Sequence, residues 1–136
     1  MLEARLQQLE TNIAQLKAMK AAVLSSDSFQ KDLQQQWALR YGLFESVQIV
    51  IDISCHLVSK HNLGTQNSYR DCIDALEKFR YITPDLADDI RGMIGLRNIL
   101  IHEYVRIDIN RLAAFLSDLS PFERFVQVMK DYVSNA

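Results

Sequence analysis

The longest stretch with helical spacing runs from about Ser28 to Lys60 and reads SFQKDLQQQWALRYGLFESVQIVIDISCHLVSK. Its apolar residues recur every three to four positions, which is the period of an α-helix packed on one face. A second apolar stripe follows another face, and in a chain this small that suggests a second subunit covers part of the helix. We interpret Trp37, Tyr41 and Phe44, on the first stripe, as core or dimer contacts.

The rest of the chain also favours helices. Its 136 residues include only four glycines and two prolines, and strand-rich folds need more turn residues than that. Helical spacing extends from Leu2 to Leu24, and capping signals at Ser68, Pro84 and Asp108 predict three further helices, the last with a kink or restart near Ser120. We therefore predict an all-α bundle of about five helices that forms one domain over residues 1–136.

Charge and hydropathy narrow the class of protein. A net charge of −2 gives no broad basic field, so any phosphate contact must be local. The apolar run from Ile49 to Val58 is interrupted by Asp52, Ser54 and His56, which argues against a membrane span. The amino terminus lacks the apolar core of a signal peptide. These features predict a cytoplasmic protein that does not enter a membrane.

The number and spacing of the cysteines also favour a cytoplasmic protein. Cys55 and Cys72 are the only two in the chain and are widely spaced, so we expect reduced thiols in the cytoplasm. Cys55, His56 and His61 match no common zinc spacing. We therefore expect neither a metal site nor a cofactor.

An arginine, a histidine and a tyrosine interrupt the apolar segment Gly95-Leu-Arg-Asn-Ile-Leu-Ile-His-Glu-Tyr104. An arginine supplies a fixed cation for a phosphate, and a histidine carries a proton near neutral pH. On a regular helix Arg97 and His102 differ by about 140° in azimuth and about 7.5 Å in height. Either the helix loosens near its end, or the arginine reaches around it, or another subunit completes the site.

Each of these residues also has an ordinary structural interpretation. Arg97 could form an ion pair with a carboxylate such as Asp52 or Asp89. His102 alone could be a surface or core histidine, and Tyr104 alone an interface or core aromatic residue. Asp52 is the one acid within the apolar stripe of the long helix, and we predict that it supports Arg97 from there.

Residues 95–104 resemble the Arg-x4-His-x-Tyr motif of the HEPN superfamily and, within it, the HepT-like ribonuclease toxins of the HepT/MntA toxin–antitoxin type. The Ile51-Asp52-Ile53 segment, the Ser68-Tyr69 start of the third helix and the Asp108 start of the last one are also similar. The resemblance implies a HEPN-like helical bundle that forms a two-fold homodimer, with the two motifs facing each other across a cleft. It also implies RNA cleavage without a metal.

The resemblance assigns a role to each residue of the motif. His102 would act as general base or acid on a ribose 2′-hydroxyl, and Arg97 would bind the adjacent phosphate. Asn98 would orient this pair. The expected products are a 2′,3′-cyclic phosphate and a 5′-hydroxyl. Tyr104 resembles the tyrosine to which an MntA-like nucleotidyltransferase antitoxin attaches AMP, which would place an anion beside the cleft.

Two other functions fit the same residues less well. One is a non-catalytic HEPN-like module that binds a nucleotide or a partner and acts with a nucleotidyltransferase. The other is a purely structural helical adaptor, which would leave the Arg-His-Tyr cluster unexplained. We therefore favour a metal-independent endoribonuclease toxin.

Overall fold

The structure is a computed structural model that describes residues 2–24, 31–102 and 108–135. These segments contain six helices and no strand, which confirms the predicted all-α class. The helices are α1 (Leu2–Leu24), α2 (Leu33–Lys60), α3 (Tyr69–Lys78), α4 (Pro84–His102), α5 (Ile109–Ser117) and α6 (Ser120–Ser134). The predicted restart near Ser120 is a separate helix, so the described part of the chain has one helix more than we expected.

Short polar side chains set most of the helix starts. The side chains of Asp32, Ser68 and Asp108 each accept a hydrogen bond from a backbone N–H in the first turn of α2, α3 and α5. The long helix therefore begins at Leu33 and not near Ser28, and the predicted break at residues 25–28 lies outside the described residues. Ser120 does not cap α6, because it is the first residue of that helix and Leu119 occupies the N-cap position without a side-chain hydrogen bond.

The helix α2 lies at the centre of the bundle. It packs against α1, α3 and α4 and makes a smaller contact with α5, while α6 packs against α1 and α4. Most of its core-facing side chains are completely buried, among them Leu39, Leu43, Val47, Val50, Ile51, Ile53 and Leu57. Burying each such side chain contributes about 1.5–3 kcal/mol. Because α2, α3 and α4 pack against one another, they hold the residues of the candidate site in fixed relative positions.

By length and composition α2 could also cross a membrane. More than half of its most apolar window, 56%, is buried inside the protein. A core helix has the same composition as a membrane span, because both are surrounded by apolar groups. We interpret α2 as a core helix on the evidence of its packing.

The expectation of two reduced thiols is wrong in this structure. Cys55 on α2 and Cys72 on α3 form a disulfide, with Cα atoms 5.1 Å apart. Their separation of 17 positions in sequence gave no sign of this, because the pairing depends on how α3 folds back on α2. The disulfide ties the start of α3 to α2, and it leaves Cys55 without a thiol for a metal.

Candidate active site

A chain of amide and carboxylate groups holds the side chain of Arg97. The Nε–H of Arg97 donates to Oε1 of Gln48 at 2.8 Å, and Nε2 of Gln48 donates to Oδ1 of Asp52 at 2.8 Å. On the other side, a terminal guanidinium N–H donates to Oδ1 of Asn98 at 3.3 Å. Asp52 thus fixes the orientation of the Gln48 amide, and the amide in turn fixes Arg97.

Two aromatic rings flank the same guanidinium. Its central carbon lies 4.8 Å from the ring centroid of Tyr69 and 5.9 Å from that of Phe44. Both distances allow a cation–π attraction, which is worth about 0.5–2 kcal/mol according to solvent exposure. Phe44 belongs to α2 and Tyr69 is the first residue of α3. Arg97 is therefore positioned by three helices at once.

Arg97 has no carboxylate partner within the described segments. None of the ion pairs found there involves it. Asp52 reaches it only through Gln48, and Asp89 pairs with Arg124 instead. The ion pair that we considered for Arg97 is thus not formed by either acid. A guanidinium that is oriented but not neutralised can bind an anion such as a phosphate in its planar fork.

His102 is the last residue of α4 and is exposed to solvent. The helix is continuous from Arg97 to His102, so it does not loosen before the histidine, and the azimuthal difference of about 140° remains. One subunit therefore does not present the two side chains on one face of the helix. Tyr104 lies outside the described residues, and its role stays a prediction.

The sequence did not identify Phe44, Gln48 or Tyr69 as partners of Arg97, whereas it did predict Asp52 as a supporting acid. Phe44, Gln48 and Asp52 are spaced by four and so share one face of α2. That spacing could have identified Gln48, since it lies one turn before the predicted supporting acid. Tyr69 carried no such signal, because its contact with Arg97 depends on the path of the loop between α2 and α3.

Residues 9–129 match the family model described as ribonuclease HepT-like. The chain belongs to the HepT-like ribonuclease family. It is 31% identical over 133 residues to the tRNA nuclease HepT of Aphanizomenon flos-aquae, covering 97% of this chain and 89% of that relative. It is 28% identical over 116 residues to the mRNA nuclease HepT of Shewanella oneidensis, covering 85% and 87%. The predicted class of enzyme, a HEPN-type ribonuclease, is thereby confirmed.

Solved structures of similar proteins have the same fold. A crystal structure of a toxin–antitoxin with AMP-PNP is similar with a TM-score of 0.80 and 25% identity, covering 94% of this chain and 98% of that one. The tri-AMPylated Shewanella oneidensis HEPN toxin in complex with the MNT antitoxin gives a TM-score of 0.86 at 24% identity, with 96% of each chain covered. These similarities confirm the HEPN fold of the chain.

Proposed function

We propose that this ribonuclease is the toxin of a type II/VII-like toxin–antitoxin pair, and that it cuts RNA in the cytoplasm without a metal ion. A ribose 2′-oxygen attacks the adjacent phosphorus, the bond from phosphorus to the 5′-oxygen breaks, and a 2′,3′-cyclic phosphate and a 5′-hydroxyl result. The observation that carries the proposal is the guanidinium of Arg97, which the described residues orient without neutralising.

In this mechanism Arg97 binds the scissile phosphate. An arginine has five N–H donors, and the bonds to Gln48 and Asn98 use two of those on Arg97. Further donors can then reach the non-bridging phosphate oxygens, where negative charge grows in the transition state. Asp52 supports this role indirectly, because it holds the Gln48 amide in place.

His102 moves the protons. A neutral imidazole takes the proton from the 2′-hydroxyl, and a protonated imidazole gives one to the departing 5′-oxygen. A histidine from each subunit of a dimer would supply both forms at one phosphate. The different azimuths of Arg97 and His102 on α4 support a site built from two subunits, since one subunit alone does not present both on one face.

An exposed apolar stripe on α2 supports the homodimer. Leu33, Trp37 and Tyr41 follow one another at intervals of one turn and are 60%, 63% and 65% exposed. Large side chains of this kind are seldom left in contact with water as a continuous stripe. The stripe leads to Phe44, which contacts Arg97. A second copy packed here by two-fold symmetry would bring both copies of Arg97 towards one cleft.

Regulation by AMP transfer completes the proposal. An MntA-like nucleotidyltransferase antitoxin would attach AMP to Tyr104, and the added phosphate would repel RNA and compete for Arg97. The AMPylated state of the structurally similar Shewanella oneidensis toxin supports this. Co-expression with the antitoxin should raise the intact mass by whole AMP units. The rise should disappear in Tyr104→Phe and persist in Tyr81→Phe, and the opposite pattern would contradict Tyr104 as the acceptor.

The catalytic proposal is tested with purified, unmodified protein incubated with RNA in EDTA. Wild-type protein should leave cyclic phosphate ends, and Arg97→Ala or His102→Ala should slow cutting by about 100-fold or more. Arg111→Ala and His61→Ala are matched controls, because both residues are exposed and neither is among the described contacts of Arg97. Failure of wild-type protein to cut, or equal losses in the control variants, would contradict the proposal and favour the binding module.

A further inference from the structure

A hollow of about 440 Å³ lies next to the Arg97 site, where the loop between α2 and α3 meets the start of α3. It is lined by Gln66, Asn67, Ser68, Tyr69 and the disulfide-bonded Cys55 and Cys72. Tyr69 belongs to both places, since it lines the hollow and its ring lies 4.8 Å from the guanidinium carbon of Arg97. Any ligand in the hollow is therefore a close neighbour of a phosphate bound at Arg97.

The lining of this hollow is uncharged. A tyrosine ring and a disulfide offer apolar surface, and two amides and a hydroxyl offer hydrogen bonds. By contrast, the larger hollow between α3 and α4 is lined by charged groups that include Asp74, Glu77 and Arg91. An uncharged site with one aromatic wall suits a flat, neutral heterocycle, because the ring can stack and the amides can bond to its edge.

Part of the lining is already fixed. Nε2 of Gln66 donates to Oγ of Ser59 at 2.7 Å, and the backbone N–H of Asn67 donates to Oδ2 of Asp71 at 2.9 Å. The side chain of Ser68 accepts the N–H of Asp71 as the cap of α3. The disulfide holds this helix end against α2. Ligand binding would therefore cost little ordering of the loop.

We propose that the hollow binds an unpaired base of the RNA, in a nucleotide next to the phosphate held by Arg97, and so contributes to the choice of the cleavage site. This inference rests on the proposed function, because it takes the anion at Arg97 to be an RNA phosphate. Single-stranded bases are commonly recognised by stacking on an aromatic side chain with hydrogen bonds to the base edge. Tyr69 would be the stacking wall and Asn67, whose side chain is exposed, the edge contact.

Tyr69 also contacts Arg97, so loss of activity in a Tyr69 variant would not by itself demonstrate base binding. A thermodynamic cycle separates the two roles. The ligand is a 2′-O-methyl RNA oligonucleotide, which cannot be cut, with one base at a time removed. Its dissociation constant is measured for wild-type protein, Tyr69→Leu and Phe79→Leu. Phe79 is the matched control, an exposed ring at the other end of α3 with Lys78 over its face.

We expect removal of one particular base to weaken binding to wild-type protein and to Phe79→Leu by about 10-fold. The same removal should have almost no effect on Tyr69→Leu, since the stacking wall is already gone. Equal losses in all three proteins, or no sensitive position in the wild type, would overturn the inference. A failure of the proposed function would be seen separately, as the absence of cutting of the all-ribose oligonucleotide.

Discussion

Two arginines six positions apart on α4 have opposite surroundings. Arg91 bonds to three carboxylates, those of Asp74 and Glu77 on α3 and of Asp88 on its own helix. These bonds, with Glu77 the strongest contributor and Asp74 next, raise the pKa of Arg91 above its usual range. Arg97 is bonded to two neutral amides and stacked on two rings.

The difference separates an arginine whose charge is paired with acids from one whose charge can attract an anion. The charge of Arg91 is cancelled by acids on α3 and α4, so it joins these helices and has little attraction left for a further anion. The charge of Arg97 is oriented by the described residues but not cancelled by any of them. Because carboxylates compete with phosphates for the same guanidinium fork, only the second environment suits a substrate phosphate.

A disulfide lies near Arg97, whereas ion pairs surround Arg91. We expect loss of the disulfide to have the largest effect on stability. The disulfide between Cys55 on α2 and Cys72 on α3 joins residues 17 positions apart in sequence. It links the two helices near Tyr69, which contacts Arg97. Loop-closure entropy for a link of this size corresponds to about 3 kcal/mol of stability. Adding a reductant should lower the free energy of unfolding in urea by up to about that amount.

The control is a Cys55→Ser, Cys72→Ser double variant. Its free energy of unfolding should equal that of the reduced wild type and should not change when the reductant is added. Intact mass after alkylation reports whether the thiols are paired. A wild-type protein whose thiols are all alkylated without reductant, or whose unfolding curve is unchanged by reductant, would contradict this role of the disulfide.

A single substitution can give Arg97 a carboxylate partner like those of Arg91. In Gln48→Glu the new acid would lie where an amide oxygen now accepts from Nε at 2.8 Å, and Arg97 would come to resemble Arg91. We expect RNA cutting to fall by about 10-fold or more, because a negative charge beside the phosphate costs at least about 1.4 kcal/mol.

Thermal stability should fall slightly in Gln48→Glu, because the new carboxylate pairs with Arg97 but no longer donates to Asp52 and repels that acid. Gln34→Glu adds the same charge at an exposed position of α2 and should leave cutting unchanged. Full activity in Gln48→Glu would show that the free charge of Arg97 is not needed.

Sequence patterns predicted the parts of this molecule that depend on local rules. The helical class, the caps at Ser68 and Asp108 and the start of α4 at Pro84 follow from spacing and turn chemistry. The same rules placed the start of α2 about one turn too early, because Asp32 caps it in place of the earlier serines.

Contacts between helices could not be predicted from spacing or turn chemistry. The disulfide and the stacking of Tyr69 on Arg97 depend on how α3 returns along α2, and no spacing along the chain encodes that distance. The motif nevertheless predicted that Arg97 would have partners, since a guanidinium in an apolar segment requires them. It could not reveal that these partners would be neutral.

Whereas Gln48→Glu gives Arg97 an acid partner, a substitution of Arg91 deprives three acids of theirs. In Arg91→Met the carboxylates of Asp74, Glu77 and Asp88 would lose their shared cation and repel one another. Exposed ion pairs contribute about 0.2–1 kcal/mol each, so we expect a loss of about 1 kcal/mol in the free energy of unfolding. The loss should shrink at high salt, where repulsion is screened.

RNA cutting by Arg91→Met should match that of the wild type at a temperature where both are folded. This variant is therefore the counterpart of Arg97→Ala, which should lose cutting. If Arg91→Met lost cutting as severely as Arg97→Ala, the distinction between the two arginines would be wrong.

The smallest predicted effect concerns an acid on α2 that has neutral partners, as Arg97 has. Glu45 accepts hydrogen bonds from the hydroxyl of Tyr41 at 2.6 Å and from the amide of Asn12 on α1 at 2.9 Å. These bonds, that of Tyr41 first, hold the pKa of Glu45 below its ordinary value of 4.5. A carboxylate with a depressed pKa stabilises the fold above the pKa of the unfolded chain, and the gain is lost as the pH falls through the folded value.

Glu45→Gln should therefore be slightly less stable than the wild type near neutral pH, and the two proteins should converge as the pH falls through the lowered pKa of Glu45 in the folded protein. Unfolding midpoints measured from neutral pH to about pH 3 test this. Glu3→Gln, which changes an exposed acid on α1, controls for the net charge. A difference that grows on acidification would mean that Glu45 is held in its protonated form, and its hydrogen bonds would then have to run in the opposite direction.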